Sequence, residues 1–301
     1  LRTLGYKVAV LEGSHRTGGR AYSEEIAPGA WFDLGCSYLH DGKHNPFTKI
    51  ADDLNIVIGR NVSSSLELQN THTYFNGIKL TNLEHKGYID YFNFCHAAII
   101  SRAKEGADCA LIDCLDLSNP LSNPYLAHIS GLMAADADEV SIYDYANAQT
   151  GIDIPVLSGY GNLVKHWSAD TEVFLNSRVK KIDWSGNNKV IVDTSKGVAR
   201  GRIALITPST NVLCSGDIVF KPSLPEWKLH ACFSLPTGTE NKIGVHFIRD
   251  VFGLDGRGFY SSWNDNGDAT NFEVSVMGQN IVIVFTGGRH GIWLERQGEK
   301  A

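Results

Sequence analysis

Lys7-Val8-Ala9-Val10-Leu11-Glu12, followed by Gly13-Ser14-His15-Arg16-Thr17-Gly18-Gly19-Arg20, decides the fold class. The run from Val8 to Leu11 is apolar without alternation, which suits a strand covered on both faces, as in a parallel sheet. Residues 1–6 before it read as a helix end stopped at Gly5, since glycine tolerates the left-handed backbone that closes a helix. Helix end, glycine and buried strand make half of a βαβ unit, so an α/β fold is expected. Glu12 stands at the carboxyl end of that strand, where an acidic residue can accept hydrogen bonds from ribose hydroxyls; a solvated strand end is the other reading of the same residue. Gly18 and Gly19 allow close backbone approach to a ligand, and Arg20 offers a forked donor to a pyrophosphate. Taken alone, that tripeptide also fits an ordinary surface loop.

Outward from this stretch, residues 45–54 have helical spacing, with Pro46 in the first turn where its missing N–H is harmless. From about 61 to 140 the chain is polar and helical by turns, without a glycine-rich phosphate loop, and reads as an inserted module. Gly159-Tyr160-Gly161 opens a short helix. Residues 173–175, 179–184 and 189–194 read as strands, the last two joined by the turn Ser185-Gly186-Asn187-Asn188. The apolar run 202–207, ending at Pro208, reads as a fully buried strand. Beyond Pro222 a helix over 227–234 precedes strands over 242–247, 259–263, 272–276 and 281–285. In the first of these, alternation sends Ile243, Val245 and Phe247 to one side, and Lys242, Gly244 and His246 to the other. Gly244 leaves room there for a close neighbour.

Composition narrows the function. The 301 residues are 43% hydrophobic and 20% charged, the balance of a globular protein long enough for two domains. A net charge of -6 argues against a nucleic-acid surface and for a small-molecule ligand. The six cysteines, Cys36, Cys95, Cys109, Cys114, Cys214 and Cys232, show no C-x-x-C spacing, so reduced thiols are expected rather than disulfides or a metal site. No apolar run approaches the roughly 18 to 20 residues that span a bilayer, and no signal segment opens the chain. A cytoplasmic location is the expectation. One sequon, Asn61-Val62-Ser63, decides nothing about secretion.

Several segments, in order, carry a resemblance. KVAVLEGSHRTGGRAYS (7–23) and FDLGCSYLHDGKHNPF (32–47) are followed by LSGYGNLVKHW (157–167), VKKIDWSGNNKVIVDTSKG (179–197), IALITPSTNVL (203–213) and LPEWKLHACFSLPTGTENKIGVHF (224–247). Together they resemble the flavin-containing amine oxidase family, which includes monoamine oxidases, polyamine oxidases and histone lysine demethylases. The resemblance implies a Rossmann-like FAD-binding domain from residues 1–47 and 154–220, incomplete because its first strand and phosphate loop would lie upstream of Leu1. It implies an interleaved α+β substrate domain, on a mixed or antiparallel sheet, from residues 48–153 and 221–301.

The implied roles are specific. Glu12 binds ribose, with Gly18 and Gly19 at the cofactor and Arg20 at its pyrophosphate. Ser37 and Tyr38 stand at the flavin end, Val179 meets adenine through its backbone, and His40 lines the substrate cavity, a role in which a structural histidine is the alternative. Lys242, after Asn241, is the catalytic candidate, holding a water near flavin N5. Ser14 stands where many relatives carry Arg, and Tyr38 where polyamine-type relatives often carry Trp. The implied reaction is FAD-dependent oxidation of a small-molecule amine, with dioxygen as the second substrate and hydrogen peroxide as a product. The alternative is a truncated or degenerate relative that binds no flavin and serves at most as an interaction module.

Overall fold

The computed structural model describes residues 1–60, 71–148, 151–253, 256–275 and 278–298; the sequon Asn61-Val62-Ser63 lies outside them, as does Val276 at the end of one expected strand. The chain forms two compact units. Leu1–Arg20 and Val164–Thr237 make the smaller, and Ala21–Leu163 and Gly238–Ala301 the larger.

In the smaller unit, Gly5 closes a single 3-10 turn, Arg2–Leu4, with φ of 80°, as its position before the strand requires. The strand that follows is the short Val10–Leu11, paired in parallel with Val173–Phe174. A four-stranded sheet runs in the order Gly197–Gly201, Lys189–Thr194, Val179–Gly186, Val219–Lys221. Its first two pairings are antiparallel and its last is parallel. The hairpin joining Val179–Gly186 to Lys189–Thr194 places Asn188 at φ 53°, a backbone conformation that Asn tolerates better than most residues.

Residues 202–207 depart from the expectation of a buried strand. They form no strand, and Ile203 and Leu205 are 84% and 78% exposed. Among the described residues no strand pairs with this segment, so neither its backbone nor its side chains gain the cover that a continuous apolar run leads one to expect.

The larger unit is built on a six-stranded mixed sheet in the order Glu240–His246, Ile281–Gly287, Ala269–Val274, Gly258–Trp263, His72–Phe75, Ile78–Lys79. All neighbours are antiparallel except Gly258–Trp263 with His72–Phe75. Helix Asn82–Lys104 starts at a capping box, Thr81 accepting from the Glu84 N–H while Glu84 reaches back to the Thr81 N–H. Its buried residues Tyr88, Phe92, Cys95 and Ile99 join Tyr125 and Ile129 of helix Ser122–Met133, and Trp263 of the sheet, in the largest core. Helix Pro46–Asp53 begins as its sequence dictates, with Asn45 as cap and proline in the first turn.

The units are cut differently from the expected domains. Residues 21–47 and 154–163 belong with the larger unit, and 221–237 with the smaller. Contacts account for this: Phe32 and Ala30 pack against Ile281 and Ile283, and the Asp33 carboxylate accepts the Tyr160 N–H at 2.9 Å. The result is a mixed α/β chain with mixed sheets. Among the described residues no helix is long and apolar enough to cross a membrane.

Candidate functional site

In the smaller unit, the Glu12 N–H donates to the Phe174 carbonyl at 3.0 Å, extending the parallel pair by one residue. The Glu12 carbonyl accepts from the Ser177 N–H at 2.8 Å, and the Asn176 N–H donates to the Ser14 carbonyl at 2.8 Å. Residues 12–14 therefore lie beside 176–178, which brings Glu12 and the start of the Val179 strand to the same end of the parallel pair. That end is where open α/β sheets place their ligands. One carboxylate oxygen of Glu12 accepts the Ser14 N–H at 2.7 Å.

The loop that follows needs its glycines. Gly18 and Gly19 sit at φ 98° and 54°, in the left-handed region where a Cβ is strained. Arg16, which the sequence did not single out, braces this loop by donating to the Gly19 carbonyl at 2.8 Å. Arg20 is exposed, and no carboxylate among the described residues forms an ion pair with it.

The larger unit holds the other candidates. Lys242 lies on the edge strand Glu240–His246, opposite Phe285, and its ammonium sits 5.4 Å from that ring's centroid. It donates to the Ser37 hydroxyl at 2.7 Å and to the Gly35 carbonyl. Gly244, two residues on, explains how the segment 32–37 comes so close: a Cβ there would meet the Phe32 ring at 2.8 Å. The expected alternation thus holds on this strand, with Lys242 and Gly244 under the 32–37 segment and Ile243 and Val245 exposed.

Beside Ser37, the Tyr38 hydroxyl donates to Glu273 Oε2 at 2.8 Å. Glu273 is 2% exposed, and burial lifts its carboxyl to about 7, against the opposing pull of the Tyr38 hydrogen bond and the Lys242 charge. Burial and the neighbouring Glu273 carboxyl together hold the Tyr38 phenol well above its ordinary value. His40 carries its Nδ1 2.9 Å from Asp153 Oδ1, which raises its pKa, and its side chain is 68% exposed. Burial raises the Glu240 carboxyl, while Lys242 and His40 draw it down.

Tyr38, His40 and Lys242 are therefore linked through Glu273, Glu240 and Asp153, three acids that sequence reading missed, while Ser37 joins them through its bond from Lys242. Glu273 left a signal: a lone charge in the strand sequence Ala269-Thr270-Asn271-Phe272-Glu273-Val274, where a buried carboxyl requires a partner. Asp33 is a fourth. Burial raises it, and it accepts from Ser23 and from the Tyr160 N–H, fixing the start of helix Tyr160–Trp167.

Comparison with known proteins adds lineage to this geometry. The pattern of the family described as flavin containing amine oxidoreductase matches residues 1–85 and 75–295. The chain is 28% identical over 273 residues to probable polyamine oxidase 4 of Arabidopsis thaliana, covering 83% of this chain and 55% of that protein. It is 29% identical over 272 residues to protein FLOWERING LOCUS D of Arabidopsis thaliana, covering 82% and 34%. Against lysine-specific histone demethylase 1 homolog 1 of Oryza sativa subsp. japonica it is 25% identical over 351 residues, covering 98% and 38%. The chain spans about half the length of the polyamine oxidases it matches. A match running through nearly every element from the Glu12 strand to the Lys242 sheet makes the chain a member of the flavin containing amine oxidoreductase family.

Proposed function

We propose that this chain carries FAD-binding and amine-oxidising residues of an FAD-dependent amine oxidase. The observation that carries the reading is the Lys242 ammonium, fixed by Ser37 and Gly35 on the strand where the family resemblance puts its Asn-Lys pair. The donor set suits the cofactor. Among the described residues only one Glu12 carboxylate oxygen is hydrogen-bonded, which leaves the other for a ribose, the Gly18-Gly19 loop permits close backbone approach, and the exposed Arg20 guanidinium, in no ion pair among those residues, can meet a pyrophosphate. When bound, flavin supplies the two-electron chemistry, taking a hydride equivalent from the amine α-carbon and passing electrons on to dioxygen with release of hydrogen peroxide.

The chain's own residues do the rest. Lys242 places positive charge and an N–H donor where negative charge develops and where a water can be held. Ser37 and Gly35 keep that ammonium on one bearing. Tyr38 and the protonatable Glu273 form a buried acid pair beside it, and the carboxylates Asp153 and Glu240 attract a cationic amine that must lose its proton before oxidation. The polyamine oxidases among the relatives point to a polyamine as the first substrate to try.

The test is the visible spectrum of the purified chain after incubation with FAD and gel filtration, followed by anaerobic addition of spermine. Retained flavin absorbance that bleaches with amine and returns with air supports the reading. A colourless protein that never retains flavin overturns it for this chain.

A further inference from the structure

Two thiols in the smaller unit stand outside everything described so far. Cys214 is the last residue of helix Thr210–Cys214, and Cys232 is the penultimate residue of helix Glu226–Phe233. The two helices pack on each other. Hydrogen bonds from Thr210 Oγ1 to the Leu235 carbonyl, 2.6 Å, and from the Thr237 N–H to Asn211 Oδ1, 3.2 Å, tie the first helix to the segment leaving the second. Both cysteines line one cavity of about 220 Å³, with Asn211, Ser215, Phe233 and Pro236. Both side chains open onto this one space. Cys232 is buried and Cys214 half-buried, so one sulfur meets solvent first and the other waits behind it.

We propose that Cys214 and Cys232 are a redox-active dithiol that closes to a disulfide under hydrogen peroxide, stapling the two helices together. The Cys214 thiolate attacks the peroxide O–O bond, giving a sulfenic acid and hydroxide, which takes up the displaced proton to become water. The Cys232 sulfur then attacks the sulfenic sulfur, forming the S–S bond and releasing a second water. In sum two thiols lose two protons and two electrons, and one peroxide takes them up to become two waters. The cavity that both thiols line, the packing of the two helices that carry them and the access of that cavity to a small oxidant carry this, independently of the flavin reading. Burial pushes the Cys214 thiol up, with the Cys232 thiol adding to the shift, so little of it is thiolate at neutral pH and the attack on peroxide is slow. The presence of Cys232 in the same cavity favours closure over further oxidation.

The closed loop would hold residues 215–231, including the strand Val219–Lys221. Its chain restriction should raise the thermal midpoint of this unit by at least about 3 °C, reversibly with dithiothreitol. The experiment treats the full chain with a slight excess of hydrogen peroxide, quenches with an alkylating agent, and maps disulfide-linked peptides by mass spectrometry. Expected is a peptide pair joined through Cys214 and Cys232, lost in Cys214→Ser and in Cys232→Ser but kept in Cys109→Ser. If the serine variants fail to fold, the wild-type map decides alone. The proposal is overturned if Cys214 and Cys232 alkylate as free thiols, if each is over-oxidised without a link, or if the only new disulfides involve Cys36, Cys95, Cys109 or Cys114.

Discussion

At the scale of single residues, the roles proposed for Lys242 and Glu273 can be tested apart. Replacing Lys242 by Met keeps most of the side-chain volume and removes the charge and both hydrogen bonds. In a flavin-loaded protein, Lys242→Met should slow amine oxidation or flavin reoxidation by roughly ten-fold or more, at least ~1.4 kcal/mol of barrier, measured by stopped-flow absorbance on the separate half-reactions. The Ser37 hydroxyl is buried and loses its donor, so a stability loss of about 1 to 3 kcal/mol should accompany the change. Unchanged rates in both half-reactions would remove Lys242 from the reacting centre. Glu273 titrates in the opposite sense to an ordinary surface acid. Its folded-state pKa, about 7, exceeds the ordinary 4.5, so between those values the folded chain holds a proton that the unfolded chain has released. Stability from this residue therefore falls as pH rises through that window, and above it the penalty reaches about 3 kcal/mol. Glu273→Gln keeps an acceptor for Tyr38 and removes the titration. Its urea midpoint should exceed that of the wild type at pH 8 and converge with it near pH 5; a constant difference across that range would mean that Glu273 is charged in the folded state throughout.

Among elements, the legible ones were those whose signal is local. The cap and proline at 45–46, the Gly5 stop, the turn at 185–188 and the strand Lys189–Thr194 are written in residues that favour one backbone conformation, and they fold accordingly. The run 202–207 departs from the expected buried strand because burial is a property of neighbours, and an apolar segment says nothing about whether a strand lies beside it. The Lys242 strand was readable by alternation, yet its partners Gly35 and Ser37, some 200 residues away in the chain, were reached only through family resemblance. The lone charge of Glu273 in its strand signals a partner but does not name it; only the fold brings Tyr38 to it. A close approach between elements gives a sharper test of the packing. A Cβ on Gly287 would lie 1.9 Å from the Ser130 carbonyl oxygen and 3.1 Å from the Ala134 Cα, both backbone atoms that cannot swing aside. Gly287 has φ of -138°, which any residue adopts, so Gly287→Ala tests space and not backbone strain. It should cost about 2 kcal/mol or more by chemical denaturation, as overpacking does. A change under ~0.5 kcal/mol would show that helix Ser122–Met133 does not press on the end of this strand.

Across the whole molecule, apolar burial is unevenly divided. The larger unit holds three buried clusters, centred on Tyr88, Phe92 and Trp263, on Leu39 and Val156, and on Phe32 and Ile283. In the smaller unit the buried apolar side chains among the described residues are Ile182, Val192 and Cys232, none of them fully buried, while Val10, Phe174, Ile203 and Leu205 stand exposed. Each fully buried aliphatic or aromatic side chain contributes about 1.5 to 3 kcal/mol of transfer free energy, so the smaller unit rests on far fewer such terms. Local opening follows local burial, and sheets with one thin core exchange their amides through openings well below the global unfolding free energy. In the chain without flavin, the ladder amides of Val179–Gly186 and Lys189–Thr194 should therefore exchange with deuterium at least about ten-fold faster than those of helix Asn82–Lys104, a difference of ~1.4 kcal/mol in opening free energy. Peptide-level exchange followed by mass spectrometry measures this directly under conditions where closing outruns exchange. The comparison uses hydrogen-bonded interior amides on both sides, so exposure of the backbone itself does not bias it. Adding FAD sharpens the outcome, since a ligand that binds only the folded unit slows exchange there in proportion to its occupancy, and the Glu12 and Arg20 segments should gain protection together with the sheet. Equal protection of the sheet and the helix without flavin would mean that the two units open as one cooperative block, and that the thin core of the smaller unit is held by something other than its own buried side chains.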